Sequence, residues 1–389
     1  MFDRSENVTV RDRPRPWAEA LGVRAGGGFL VYPKLSIDTA YDDNILGTQT
    51  LPLADTLFTI EPQLAIKSDW NKNAVQLTAD TTLRQYVSYP SQDSNQYFFE
   101  GLGRLDLYHD LTVTADASWA RVLIPRTSDA EVSKTPLLFD QALAEANVVK
   151  TFNRIKLTAT GRFEHFTYLD GEAPTGQPLD QHFRDHDTIL GDLRGDYAVS
   201  PDFAMFLEEI VTQDHYDTAA RRTQNTTETL VGPNFEIAKL ITADIGAGYL
   251  TSSSSARHAK TVETPHVRAN IVYFATRLID VTLTATQDVV DSGVPTSPSY
   301  LSRHLGVEAN YELFRDLIIA GKVAANWNDY RDIDRHDRYN EESLAATYLP
   351  NRWMQVVLTY DHLNRTSSGA AAGASLGRNT VSLALTLQR

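Results

Sequence analysis

The chain has 389 residues and a mass of 43.4 kDa, contains no cysteine, and sets 36 Lys and Arg against 50 Asp and Glu for a net charge of -14 at pH 7. These values exclude disulfide frameworks, thiol nucleophiles and thiolate metal sites, and they disfavour nucleic acid or any other polyanion as a main partner. Mean hydropathy is -0.31 and no apolar run approaches the roughly eighteen residues of a transmembrane helix, so a helical membrane protein is excluded too.

Residues 1 to 27 show no alternation of apolar and polar side chains. They carry Arg11, Arg13 and Arg15 among Pro14 and Pro16, then a predicted single helical turn from Trp17 to Leu21 before Gly22. The opening residues lack the apolar core of a secretory signal, so a signal peptide is expected to have been removed already. From Phe29 onward the period is two almost everywhere. Leu111, Val113, Ala115, Ala117 and Trp119 share one face against Thr112, Thr114, Asp116 and Ser118. Ile279, Val281, Leu283 and Ala285 do the same, as do Val381, Leu383, Leu385 and Leu387. Tight connections fall at Trp70-Asn71-Lys72-Asn73, His109-Asp110, Asn153-Arg154, Ser200-Pro201-Asp202, Ala238-Lys239, Ala275-Thr276-Arg277, Phe314-Arg315-Asp316 and Pro350-Asn351-Arg352. Between them lie long polar stretches, including 121–138, 166–187, 213–226, 251–264, 288–303, 328–341 and 363–378. The count predicts about eighteen strands, sixteen to eighteen being the range, with short turns at one end and long loops at the other.

An even strand count puts both ends of the chain on the short-turn side, which in bacterial outer-membrane barrels is the periplasm. Tyr197, Phe203, Tyr273, Tyr311, Tyr348 and Trp353 stand beside short turns, and Trp119, Tyr249, Trp327 and Tyr360 beside long loops, as two interfacial girdles would. A soluble sandwich or solenoid would not alternate short and long connections. The expected fold is therefore all-β, a transmembrane antiparallel up-and-down β-barrel over 28–389 with a periplasmic arm at 1–27. Pro33, Pro62, Pro233 and Pro265 fall inside strand patterns and require bulges or strand ends. No outward face reads as unusually rich in small residues, so a monomer is expected, in contact with outer-membrane lipid and lipopolysaccharide.

Residues 28 to 70 carry a specific resemblance. The stretch GFLVYPKLSIDTAYDDNI followed by DTLFTIEPQLAIKSDW, with Pro33, Tyr41-Asp42-Asp43-Asn44, Asp55, Pro62 and Ser68-Asp69, resembles the opening hairpin of the putative β-barrel porin 2 family. That resemblance implies a Gram-negative outer-membrane channel accompanying exopolysaccharide export, with a periplasmic polysaccharide export protein as partner. The chain departs from the usual aromatic C-terminus of such barrels by ending Leu387-Gln388-Arg389. A general diffusion porin for small hydrophilic solutes and a plugged structural barrel are the alternatives, and the pattern alone does not separate them.

An eighteen-strand barrel is about 35 Å across its backbone, too wide for inward side chains to fill. The inward positions predict a basic side made of Arg84, Arg104, Lys156, Arg162, Arg194 and Lys322. They predict an acidic side made of Glu228, Glu236, Asp244, Asp280, Glu308 and Glu312, opposed locally only by Arg268, and hence preferential passage of cations. The Val122-Leu123-Ile124-Pro125 run is too apolar for a solvated loop and is expected to fold against the lumen or neighbouring loops. No cofactor is expected. Asp42, Asp43 and Asp55, with Asp38, are the weak calcium candidates, followed by Asp332, Asp334 and Asp337, while His182 and His186 lack a helix to bring them onto one face. His165 and His362 head loops without an apposed serine, and no enzymatic activity is expected.

Overall fold

The computed structural model describes residues 7–129, 133–217, 223–255 and 259–389. Eighteen long strands run β1 Phe29–Asp42, β2 Asp55–Ser68, β3 Ala74–Tyr86, β4 Ser94–Tyr108, β5 Leu111–Leu123 and β6 Leu138–Phe152. They continue as β7 Ile155–Tyr168, β8 His186–Ser200, β9 Phe203–Tyr216, β10 Gln224–Ile237, β11 Ile241–Ser254 and β12 Val262–Thr276. The last six are β13 Ile279–Asp291, β14 Ser299–Phe314, β15 Leu317–Tyr330, β16 His336–Asn351, β17 Met354–Ser368 and β18 Leu376–Gln388. Each pairs antiparallel with its sequence neighbour, and β1 closes on β18 with Lys34 opposite Gln388 and Asp42 opposite Thr380. Closure satisfies every ladder without an edge, which is what lets strands sit in hydrocarbon.

The predicted alternation becomes an outward apolar face. Leu193, Leu207 and Val323 are 60%, 60% and 61% exposed, values that describe a lipid-facing wall. The lumen side is polar, and the cluster of buried apolar residues within it is small: Ile124, Leu137 and Tyr168, with Phe139, Phe166 and Leu179 against them.

Three expectations need correction. Several long loops are shorter than the polar stretches implied: the chain leaves the sheet only over 292–298 and 331–335 where 288–303 and 328–341 were read as loop. Strands that rise beyond the bilayer are wet on both faces, and alternation fades there although pairing continues. The prolines sit at one-sided ladder gaps: pairing of β10 with β11 skips Gly232 and Pro233, and β3 pairs on either side of Glu61 and Pro62. Pro265 lies beyond the start of the β12–β13 ladder, and Pro33 lies beyond the end of β18.

The third correction concerns the outer surface. Register aligns Gly103, Ala115, Ala146, Gly161 and Gly191 in one outward row across five strands, with Gly101, Ala117 and Ala144 beside them. Gly101 and Ala117, with Leu64, Leu77, Phe99 and Trp119, line a groove of about 480 Å³ at one end of this surface. Each strand contributes only one to three small residues, so no single segment stands out and only the pairing assembles the row. Nearby, Glu209 points outward between Leu207 and Val211, its carboxylate accepting a hydrogen bond from the Thr229 hydroxyl at 2.6 Å.

Candidate solute pathway through the barrel

At the extracellular end the described parts of the connection between β5 and β6, residues 124–129 and 133–137, turn inward. Ile124 and Leu137 enter the small apolar core beneath it, which accounts for the apolar run in the sequence. Two sets of contacts carry this connection across the lumen. Asp129 accepts hydrogen bonds from the Ser292 hydroxyl at 3.2 Å and the Gly293 amide at 3.0 Å, in the loop after β13. Arg365, on β17 and 5% exposed, donates from Nη1 to the Thr127 carbonyl at 3.0 Å and to that of Ser128, and from Nε to the Ala374 carbonyl at 2.9 Å. Gly47, at φ 62°, packs so closely that a Cβ would meet the Arg126 carbonyl oxygen at 2.5 Å, which only glycine avoids.

Other buried arginines draw the mouth inward. Arg331 reaches across to Gln224 on β10 at 3.1 Å and to the carbonyl and hydroxyl of Ser252 on β11, both at 3.0 Å. Burial holds its guanidinium below the usual arginine range. Arg335 pairs with Asp337 at 2.6 Å, and Arg184 pairs with Asp291 at 3.2 Å while lying 4.2 Å over the Tyr168 ring. Under the inward loop lies a chamber of about 780 Å³. Ile124, Pro125 and Asp129 bound one side of it and inward residues of β7 to β13 the other. Arg184 Nη1 and both ring nitrogens of His266 are buried there without a hydrogen-bond partner, although His266 Nε2 lies 3.2 Å from Glu228.

At the periplasmic end the N-terminal arm is folded back into the barrel mouth. Val10 is 1% exposed and its amide donates to Asp280 at 2.6 Å. Arg11 pairs with Glu308 at 3.0 Å, and Arg13 and Arg15 both pair with Glu312, at 3.0 and 3.2 Å. One turn forms at 15–19 through Ala18 and Glu19 amides on the Arg15 carbonyl, and Gln388 at the C-terminal end donates to the Ala18 carbonyl at 3.0 Å. Beyond it a short strand, Val23–Ala25, turns through Gly27 and Gly28 at φ 68° and 76° and pairs with Phe29–Val31, the part of β1 that outruns β18. Between the arm and β15 to β17 lies a second chamber of about 820 Å³.

Along the wall, acids and bases interleave instead of segregating. Arg194 bonds Asp196, Glu208 and Asp244 at 2.9, 3.3 and 2.6 Å, and Asp244 also accepts from Asn234. Arg162 pairs with Glu145 at 2.7 Å, Arg104 with Asp106 at 3.3 Å and Lys322 with Glu341 at 3.7 Å. Lys156 stands opposite Asp196 in register, and Arg84 lies within electrostatic reach of Asp38. Of the acidic set, Glu228 faces His266, Glu236 is buried with Oε2 unpartnered, and Asp280 also accepts from Asn310 at 3.0 Å. The expectation that Arg268 alone opposes this set is overturned. Arg268 pairs with Glu208, while Arg194 and the arm's Arg11, Arg13 and Arg15 engage Asp244, Glu308 and Glu312. The odd spacing of three arginines beside an excess of acids was the available signal, but nothing local said that the arm turns inward.

The carboxylates considered for calcium are spent on protein donors. Asp42, fully buried, accepts from the Asn44 amide and from Arg378 Nε, both at 2.9 Å, and Asp43 accepts from Asn379 at 2.7 and 2.6 Å. Asp55 gathers the amides of Thr56, Ser88 and Tyr89 at 2.8, 2.9 and 3.1 Å. Asp332, Asp334 and Asp337 are used likewise, by the Lys260 amide, the Ala370 amide and Arg335. These acids staple loops to strands. His182 bonds Asp185 at 2.7 Å, while His186 stacks between Phe166 and Tyr216 with centroids at 4.5 and 4.8 Å, so the two histidines serve separate contacts.

A closed meander of this size, apolar outside and charged inside, is a porin's architecture, and residues 15–389 match the family described as putative beta-barrel porin 2. The chain belongs to that family. Among solved structures it is similar to Pseudomonas aeruginosa OccK2 (OpdF), with a TM-score of 0.51 and 10% identity over 92% of this chain and 98% of that one. It is also similar to the same protein in complex with glucuronate, at a TM-score of 0.50, 9% identity and the same coverage. Pseudomonas aeruginosa OccK1 (OpdK) follows at 0.49 and 8% identity, over 92% of this chain and 99% of that one. At such identities the likeness is one of fold. No curated protein matches the sequence. This porin is an outer-membrane β-barrel of a Gram-negative bacterium, a channel and not an enzyme.

Proposed function

We propose that this porin passes small hydrophilic solutes across the outer membrane by diffusion. The observation that carries this reading is the inward segment at 124–129, held across the lumen by Asp129 and Arg365. A sphere of 780 Å³ is about 11 Å wide, room for one monosaccharide-sized solute and its water. The chambers are also staggered, the upper one against β7 to β13 and the lower one against β15 to β17, so the arm and the loop act as offset baffles. A polysaccharide strand, together with the periplasmic export partner that reading entails, would require both baffles to be displaced. A small solute fits in either chamber with the loop and the arm in place. Liposome swelling with sugars of graded length tests this: rates should fall steeply between mono- and tetrasaccharides, and equal rates for the two would refute a small-solute filter.

A further inference from the structure

The upper chamber is lined by the carboxylates of Asp129, Glu164, Asp214, Glu228, Asp288 and Asp291 and by two arginines, Arg184 and Arg268. Adding Arg331 and Arg365 from the mouth above it still leaves carboxylates in excess, and Glu208, which holds Arg268, widens that excess. A solute with a net negative charge is therefore opposed. The groups differ in how far each is already occupied. Asp129 is held by Ser292 and Gly293, Glu164 by Gln141 at 2.8 Å, and Asp291 by Arg184 and the Tyr216 hydroxyl. Asp214 accepts from the Thr188 hydroxyl at 2.7 Å, and the chamber's arginines pair with Asp291 and Glu208 and not with Asp214 or Asp288. Two donors are short of partners. His266, 2% exposed, has neither ring nitrogen hydrogen bonded although Glu228 lies 3.2 Å away, and Arg184, 8% exposed, has Nη1 unbonded. Buried polar groups left so are rare and costly, and both residues line the chamber.

We propose that the upper chamber is a binding site for one neutral polyhydroxylated ring, a monosaccharide, with Asp214, Glu228 and Asp288 as acceptors and Arg184 and His266 as the groups it completes. This rests on the porin reading and adds the solute class to it. The hydrogen-bond inventory selects the class. An ammonium group only donates, and leaves Arg184 Nη1 without an acceptor. A carboxylate only accepts, and meets six of its own kind. A hydroxyl does both. The hydroxyls of one ring donate to the carboxylates and accept from Arg184, and the neutral imidazole of His266, with one donor and one acceptor nitrogen, is matched by the same group. Apolar surface for the C–H faces of the ring is supplied by Ile124, Pro125, Phe139 and Phe166, so the chamber combines apolar cover with a few convergent polar groups.

The test is single-channel recording of the full chain in planar bilayers, with glucose, cyclohexylammonium and cyclohexanecarboxylate as probes of one ring size. Glucose should interrupt the current reversibly and saturably, half-blocking at about 10 mM, weak enough for a solute to leave. Each charged ring should need about tenfold more. Asp214→Asn with Asp288→Asn, or His266→Leu alone, should raise the glucose value about tenfold, the loss expected for one hydrogen bond to a charged or buried group. His266→Gln, which keeps a donor and an acceptor, should recover most of that loss. Should a variant fail to insert, the wild-type ranking of the three rings decides alone. Tighter block by cyclohexylammonium would overturn the hydroxyl class, and a glucose effect that follows bulk viscosity and never saturates would overturn the site; either result leaves the porin reading standing. A folded wild type that carries no current would overturn the porin reading and this proposal with it.

Discussion

The inward loop offers the sharpest test of the pathway, through the paired substitution Arg365→Leu and Asp129→Ala. Together these remove the two donations from Arg365 to Thr127 and Ser128 and the two acceptances by Asp129 from Ser292 and Gly293. Hydrogen bonds to charged groups contribute about 1.5 to 3 kcal/mol each, so the loop tip loses several kcal/mol of tethering. Its base stays fixed by the Ile124 amide on the Leu137 carbonyl at 2.9 Å and the Lys134 amide on the Glu172 carbonyl at 2.6 Å. No barrel ladder bond is touched, so resistance to unfolding should hold. With the tip free, the upper passage should widen from about 11 Å toward the roughly 20 Å that an eighteen-strand barrel leaves inside its side chains, about a threefold gain in cross-section. The arm remains in series, and whole-channel conductance should rise about 1.5- to 2-fold. Recording at 1 M KCl, where the Debye length is about 3 Å, separates this size effect from the charge effects of the chambers. A double variant that is folded by heat-modifiable gel mobility, yet conducts as the wild type does, would refute the loop as the constriction.

The wall register makes a second prediction: Leu283→Arg, on the lipid face, should destabilise the barrel by about 2 to 4 kcal/mol, and Thr282→Arg, on the lumen face, far less. Lipid refolding titrations showing equal costs would contradict the alternation. Glu209→Leu should instead stabilise the barrel, by about 1 to 2 kcal/mol, because it removes a lipid-facing carboxylate held by the single hydroxyl of Thr229; a loss of stability in the same titration would show that the carboxylate has a further partner. His182 sits in the extracellular loop 169–185, and its hydrogen bond to Asp185, helped by the fields of Asp170 and Asp180, raises its pKa above the ordinary 6.5. A raised histidine contributes stability that is complete below about pH 6.5 and is lost as pH rises through the folded value. Amide exchange in that loop, corrected for intrinsic rates, should therefore quicken above neutrality in the wild type and not in His182→Gln.

How much of this was legible depends on the range of the interaction concerned. The barrel was readable because strand period and turn chemistry are local: Leu283 beside Thr282, or Asn153-Arg154 between two alternating runs, needs no knowledge of the rest of the chain. The fate of Val122-Leu123-Ile124-Pro125 was readable for the same reason, since an apolar run in a polar loop must find cover. What went unseen were contacts made by closure. Arg365 meets Thr127 across 238 positions and Arg13 meets Glu312 across 299, and neither residue carries a local mark of its partner. The row from Gly103 to Gly191 is spread thinly over five strands and exists only in the register between them.

That division also explains why the pairing of the lumen's acids went unseen. Side-chain alternation assigns a residue to the inside of a barrel, but the sign of a pore depends on what else is inside, and here part of the lining is a segment with no alternation at all. The acidic set at Asp280, Glu308 and Glu312 is a binding surface for the chain's own arm, through the Val10 amide and Arg11, Arg13 and Arg15, before it is a surface for any solute. The Arg15–Glu312 pair, 3.2 Å apart and largely buried, is screened far less than the exposed Arg11–Glu308 pair, and removing either of its partners leaves a charge that the barrel must rehydrate. The arm and the acidic wall therefore have to be treated as one element of the pore, and neither predicts its selectivity alone.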